Sequence, residues 1–281
     1  MSNFSYTLKV CSQAAYVIRN LASADENQTK FVECGVLPPL YAILLTQQHS
    51  SMLASLAALR NLSIHPKNEI AIMSGGYPDL LSNIIKESKF PDMLSHAIGT
   101  IRNLCTQEQH ETLVNQYNIP SVLAEKMGQE ELRNEQIQGE ITSCLAVLAS
   151  YEKVRPALIA LYDNKFLEVA VNWAEKGFNE VRYNTLGILG YLSENEECRE
   201  QLINFTRILE VVKNFLQSPE APYVHIGLWA IQQLLNNAAD SVKQAIRNCG
   251  LELLVKRHTV NHDVKEISDT ASKILVILTT K

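Results

Sequence analysis

The sequence predicts an all-α solenoid built from repeated three-helix units, and three observations carry that expectation. The phrase Val17-Ile18-Arg19-Asn20-Leu21 returns as Ala58-Leu59-Arg60-Asn61-Leu62 and again as Thr100-Ile101-Arg102-Asn103-Leu104, at intervals of 41 and 42 residues. A period of that length belongs to stacked helical arrays. Apolar residues follow the helical period nearly throughout, with no two-residue alternation between hairpin turns. Glycine, proline, asparagine and aspartate interrupt the pattern where helices of ordinary length would stop and restart.

The opening helix, about residues 6–23, forms a partial unit (1–23), with Val10, Ala14, Val17, Ile18 and Leu21 on one face. Unit 24–64 reads as three helices. The first ends at Cys34-Gly35, the second starts at Pro38-Pro39, and the third covers about 51–63. Glycine suits a helix stop, and proline suits a first turn whose amides need no partner. Unit 65–106 repeats the plan with Gly75-Gly76 and Pro78, and unit 107–150 keeps Pro120 but carries Tyr117-Asn118 where glycine stood. Units 151–194, 195–237 and 238–281 are more diverged, and the last recovers the glycine at Cys249-Gly250. The chain thus reads as one solenoid over 1–281, six three-helix units following the partial one.

The third helices test the alignment. One column reads Ile18, Leu59, Ile101, Leu145, Leu189, Ile231, Leu275, and three residues on stand Leu21, Leu62, Leu104, Leu148, Leu192, Leu234, Leu278. Four residues before the first column the side chains are mostly small: Ala14, Ser55, Ala97, Ile141, Thr185, Gly227, Ala271. At 100° per residue all three columns share one face, the expected core of the stack.

Phe31 through Leu40 followed by Leu56 through Ser63, and Ile72 through Leu80 with Ile101-Arg102-Asn103-Leu104, resemble armadillo repeats of the β-catenin kind. The similarity is strong over about 10–106, weaker over 107–150, and rests on the leucine columns beyond. HEAT repeats are the structural alternative. The resemblance implies a right-handed superhelical solenoid whose third helices line a concave groove. It also implies that asparagines in the column Asn20, Asn61, Asn103 hold the backbone of an extended peptide. A side-chain amide offers both a donor and an acceptor for that purpose. The arginines just before them, Arg19, Arg60 and Arg102, could bind Asp, Glu or phosphate. The competing reading is that the asparagines bond neighbouring helix ends and the arginines are solvated. In later units the Asn column becomes Val147, Tyr191, Gln233 and Ile277. One turn upstream stand Tyr16, Ala57, Gly99, Ser143, Gly187, Trp229 and Lys273. Nuclear import receptors of the same family place tryptophan at most of those positions, so the lone Trp229 argues against binding a basic import signal. Tyr183, Tyr191, His225, Trp229 and Gln233 form a candidate aromatic subsite, since Tyr and Trp are over-represented at interface hot spots. The alternative is that they pad the superhelix. The sequence opens on a third helix and ends on Val276, Ile277 and Leu278, where solenoids usually carry polar caps; an atypical cap is the expectation, with an interaction surface or a dimer contact as alternatives.

Composition limits the remaining classes. Net charge is −5, which opposes broad nucleic-acid binding. Six cysteines without a paired spacing fit a reducing compartment. With no signal layout at the N-terminus and no apolar run of spanning length, the expected location is the cytoplasm or the nucleus, without membrane insertion. No phosphate-cradling, nucleophile-elbow or kinase motif is present, so no enzyme and no cofactor is expected. His258 and His262 stand four apart beside Asp263, but the zincin glutamate is missing and no metal site is expected. Glu194, Glu196, Glu197 and Glu200 read as a solvated helix start. His96 reads as a polar groove residue. The expected function is a non-enzymatic scaffold or adaptor for an extended, acidic or phosphorylated partner segment. The alternative is a regulator of a folded partner such as a small GTPase. No small-molecule substrate is expected, and the oligomeric state is open.

Overall fold

The computed structural model describes residues 2–46, 48–129, 134–260 and 264–279, without the side chains of 2–9 and 206. It divides into two compact units, Met1–Leu148 and Ala149–Lys281. Among the described residues there is no strand, and no helix is long and apolar enough to cross a membrane.

The first unit opens with α1 (Ser2–Leu21). The helices α2 (Asp25–Glu33), α3 (Leu37–Leu44) and α4 (His49–Leu62) make the first full repeat. A 3-10 turn at Pro66–Asn68 leads into α5 (Glu69–Ser74), α6 (Tyr77–Glu87) and α7 (Pro91–Cys105). Then come α8 (His110–Asn115), α9 (Ile119–Met127) and α10 (Glu135–Ala149). In the second unit, α11 (Arg155–Ile159) and the helical turn α12 (Leu161–Asn164) precede α13 (Phe166–Lys176) and α14 (Asn179–Leu192). The last two repeats are α15 (Glu196–Asn204), α16 (Thr206–Leu216), α17 (Ala221–Leu235), and α18 (Asp240–Asn248), α19 (Leu251–His258), α20 (Lys265–Thr279).

Local chemistry explains the boundaries. The turn between first and second helices needs a left-handed residue, and Gly35, Gly76 and Gly250 supply it with φ of 79°, 77° and 83°. Asn118 takes the same role with φ 49°, as asparagine can. Prolines then occupy the first positions of α3, α6 and α9.

The leucine column is the core: Leu62, Leu104, Leu148, Leu192 and Leu278 are fully buried, and Leu234 nearly so. Ser55, Ala97, Ile141, Thr185 and Ala271 in the small column are also fully buried. The expectation differs at α1. Its contact face is small, with Ala15 and Ala22 buried, while Val10, Val17 and Leu21 are exposed. Two small side chains let α1 lie close along α4, which turns its apolar stripe outward. Leu275 in α20 is likewise only half-buried, with Ile274 taking the buried place.

A second set of contacts ties repeats together through polar groups. The last carbonyls of a third helix have no partner within that helix. Gln28 donates to Ala22 O at 3.0 Å, Asn68 to Leu62 O at 2.8 Å, Arg155 to Ala149 O at 2.9 Å and Arg199 to Ser193 O at 2.9 Å. Each donor lies six residues past its acceptor, in or just before the next first helix, and all four side chains are buried. Asn68 also reaches Gln28 O at 3.1 Å, one repeat back. Second helices are linked similarly. Lys126 places its ammonium 3.2 Å from Lys86 O and 2.7 Å from Ser88 O, at the end of α6. Burial holds that ammonium below its usual pKa. His258, whose spacing to His262 suggested a ligand pair, lies with Nε2 2.8 Å from Leu216 O, while His262 and Asp263 lie outside the described residues. Tyr77 is buried with its hydroxyl donating to Leu37 O at 2.6 Å, and burial raises its pKa.

The Asn68→Ala variant leaves the Leu62 carbonyl buried without a donor. It should lose about 1–3 kcal/mol of stability, measured by urea unfolding followed by circular dichroism.

Candidate functional site

The repeated arginines lie on the third helices of the first unit: Arg19 on α1, Arg60 on α4 and Arg102 on α7. Arg60 Nη2 lies 2.7 Å from Glu140 Oε1, and Arg102 Nη1 lies 3.0 Å from Glu140 Oε2. The first contact is a hydrogen-bonded ion pair. The second has the distance of an ion pair but not the alignment of a hydrogen bond, so Oε2 remains unsatisfied in the directional sense. The Glu140 side chain is 12% exposed, against 24% for Arg60 and 30% for Arg102, so the pairing sits partly out of water.

Arg60 is further oriented by Ser95, whose carbonyl and hydroxyl oxygens lie 3.3 and 3.4 Å from Nη1. Its guanidinium lies against the backbone of α7 at Gly99. A Cβ there would come within 2.5 Å of Arg60 Cζ, so a larger residue would push the guanidinium away. Arg19 is exposed and makes no ion pair among the described residues. The asparagines bond within the stack: Asn61 Nδ2 donates to Arg19 O at 2.8 Å, and Asn103 Nδ2 to Arg60 O at 3.1 Å and Ser63 Oγ at 3.0 Å. Each ties the end of its helix to the preceding third helix. Asn20 is exposed.

His96 stands in this electrostatic field. Its pKa is lowered first by burial, then by the positive charges of Arg60 and Arg19, with Asp92 and Glu140 opposing. Its Nδ1 is buried without a hydrogen-bond partner among the described residues.

In the second unit the structure brings together only part of the aromatic set. Tyr191 on α14 and Trp229 on α17 meet edge to face at 4.9 Å. The tryptophan ring lies on Gly190, where a Cβ would come within 2.3 Å of Cζ3. Arg155 lies 5.9 Å over the Tyr191 ring and also pairs with Glu194 at 2.8 Å. Tyr183 is not part of this pair. It meets Tyr223 at 5.8 Å, and Tyr223 leads on to Phe215 at 5.4 Å, over which Arg182 stacks. Two turns of α14 separate Tyr183 from Tyr191, so the residues share a face but not a neighbour. His225 lies 3.5 Å from Glu266 on α20, and Gln233 is half-buried. Glu140 and Tyr223 were not among the residues named from sequence, and Gly99 and Gly190 stood only as members of the repeat columns. The two glycines had a visible signal, since a helical glycine in a packed repeat marks close approach.

Two outcomes follow. The folded state resists protonating His96, so between the ordinary histidine pKa and the lowered one the unfolded chain binds more protons. Stability should therefore be full above about pH 6.5 and fall as pH drops through that window. His96→Gln should remove that part of the acid slope in urea unfolding at a series of pH values. Gly190→Ala should lift the Trp229 ring off α14 and red-shift its fluorescence, read in a Trp173→Phe background.

No family model matches the chain. Among curated proteins it is similar to Vacuolar protein 8 of Schizosaccharomyces pombe, at 30% identity over 239 residues, covering 81% of this chain and 41% of that protein. Vacuolar protein 8 of Candida albicans is 28% identical over 275 residues, covering 95% of this chain and 44% of that protein. The chain therefore spans less than half the length of these relatives. Their name corrects the expected cytoplasmic or nuclear location and points to the vacuole. The features behind that expectation concern redox state and membrane insertion, and they do not distinguish free protein from protein held at an organelle. Among solved structures, an engineered protein superposes with a TM-score of 0.82 at 19% identity, covering 95% of this chain and 64% of that one. A designed armadillo repeat protein in complex with the peptide (KR)4 gives a TM-score of 0.75 at 16% identity, covering 86% and 99%. The repeat phrase, the three-helix plan and these likenesses agree: the chain has the armadillo-repeat fold.

Proposed function

We propose that the chain is a non-enzymatic adaptor at the vacuole, and that its first unit holds an extended, acidic or phosphorylated segment of a partner protein along the third helices. The observation that carries this reading is the convergence of Arg60 and Arg102, one period apart, on a single carboxylate. A surface arranged that way already accommodates an anion between two repeats. Arg19 continues the row and is exposed. Neighbouring helices pack roughly 10 Å apart and an extended chain rises about 3.3 Å per residue, so every third residue of a bound segment meets the next repeat. Asn61 and Asn103 each keep a side-chain oxygen that can accept from a peptide N–H, while Nδ2 serves the stack. A designed relative in fold takes the basic peptide (KR)4. With arginines in its row, this chain should prefer the opposite charge. In the second unit Tyr191 and Trp229, flanked by Gln233 and His225, offer a separate contact for an apolar side chain of a partner, with Tyr183 belonging to the adjoining Tyr223 cluster.

Binding is tested by fluorescence anisotropy with a peptide carrying phosphoserine at every third position. Arg60→Glu with Arg102→Glu should weaken binding at least tenfold, about 1.4 kcal/mol, with helicity unchanged. Arg19→Glu, at an exposed position, should also weaken it. Equal affinity of all three proteins would remove the arginine row from the binding surface.

A further inference from the structure

Glu140 stands where a ligand's anion would. It belongs to α10, two repeats beyond α4 and one beyond α7, yet its two oxygens lie 2.7 and 3.0 Å from arginines on those helices. The rest of the surroundings supports the arginines rather than the carboxylate. Ser95 and the open backbone at Gly99 place the Arg60 guanidinium, and Gln136 Nε2, one turn before Glu140, donates to Ser95 Oγ at 3.1 Å. Glu140 Oε2 gains no aligned hydrogen bond in return for its burial. A carboxylate that is desolvated and incompletely bonded forgoes part of what its two ion pairs supply. Glu140 is shared by two arginines, Arg60 and Arg102, and burial, with Arg60 and Arg19 outweighing Asp92 and Glu140, holds His96 toward its neutral form.

We propose that Glu140 is a built-in competitor for the arginine row and sets which anions the row accepts. This inference rests on the reading of the row as an anion-binding surface. A ligand must displace Glu140 from Arg60 and Arg102 before it gains their charge. A single carboxylate replaces like with like, exchanging one monoanion for another with the same acceptor geometry, so it gains little at these two arginines. A phosphomonoester brings about −1.5 to −2 charges and three acceptor oxygens, enough to engage both guanidinium groups and complete the bonding that Glu140 leaves unfinished. Glu140 thus selects phosphorylated residues over glutamate at the Arg60–Arg102 position. Arg19, without an internal acid among the described residues, makes no such distinction.

The test uses three fluorescein-labelled peptides of one sequence, with phosphoserine, glutamate or glutamine at every third position. They are titrated against the wild type, Glu140→Gln and Glu140→Asp. Wild type should bind the phosphoserine peptide at least tenfold more tightly than the glutamate peptide. Glu140→Gln should tighten the glutamate peptide several-fold and narrow that preference, and Glu140→Asp, with a shorter reach, should fall between. A gain of affinity is the outcome that a purely structural role for Glu140 would not give. If Glu140→Gln binds both anionic peptides as the wild type does, or more weakly, Glu140 positions the arginines and does not compete, and the inference fails while the adaptor reading stands. If Glu140→Gln does not fold, Glu140→Asp decides between the same outcomes. If no protein distinguishes the anionic peptides from the glutamine peptide, the arginine row is not an anion site and both readings fall.

Discussion

Each third helix ends inside the stack, and the carbonyls at that end must be satisfied there. Water does not reach them, and an unpaired buried carbonyl costs about as much as a lost hydrogen bond. At four of these ends the chain answers with a side chain six residues on. Gln28, Asn68, Arg155 and Arg199 each turn back onto the helix just completed. That contact fixes where the next first helix begins, and so the register of the next third helix against the last. Arg60 and Arg102 share one carboxylate only while α4, α7 and α10 keep a constant offset, and Asn68 at the end of α4 and Asn103 from α7 to Arg60 O hold the first of those steps.

The row combines two opposing physical demands. Guanidinium groups a repeat apart repel, and partial burial strengthens the repulsion. Glu140 relieves it in the free protein, while Gly99 and Ser95 add contacts to Arg60 that do not involve an acid. Burial first, and the same field second, disfavour a charge on His96. The aromatic pair in the second unit is arranged by shape instead. Gly190 removes a side chain at the point where Trp229 lies on α14, and Tyr191 closes the edge of the ring.

Much of the architecture was legible from residues alone because the repeats restate it. The leucines at 62, 104, 148 and 192 are buried as their column requires, and Asn118 substitutes for glycine at a left-handed turn as its chemistry allows. The polar links were not legible. Glutamine, asparagine and arginine perform one task at equivalent places, and a comparison by residue type sees no column. Glu140 escaped for a different reason: its partners lie in other columns, one and two repeats back. Tyr183 was grouped with Tyr191 because both lie on one helix face, but ring contacts depend on the residue opposite, and Tyr223 takes Tyr183. The outward stripe of α1 shows that an apolar face in a sequence marks what could be buried, while Ala15 and Ala22 mark what is.

The link from Arg60 to Glu140 passes over an entire repeat. In an array whose units touch only their neighbours, stability is a sum of unit and adjacent-pair contributions, and a unit can be excised or duplicated with a calculable effect. A bond between next-nearest units breaks that additivity. The segment from α4 to α10 is therefore one energetic unit: inserting or removing a repeat within it would shift one arginine out of reach of the acid it shares, and the cost would not be the sum of unit and adjacent-pair terms.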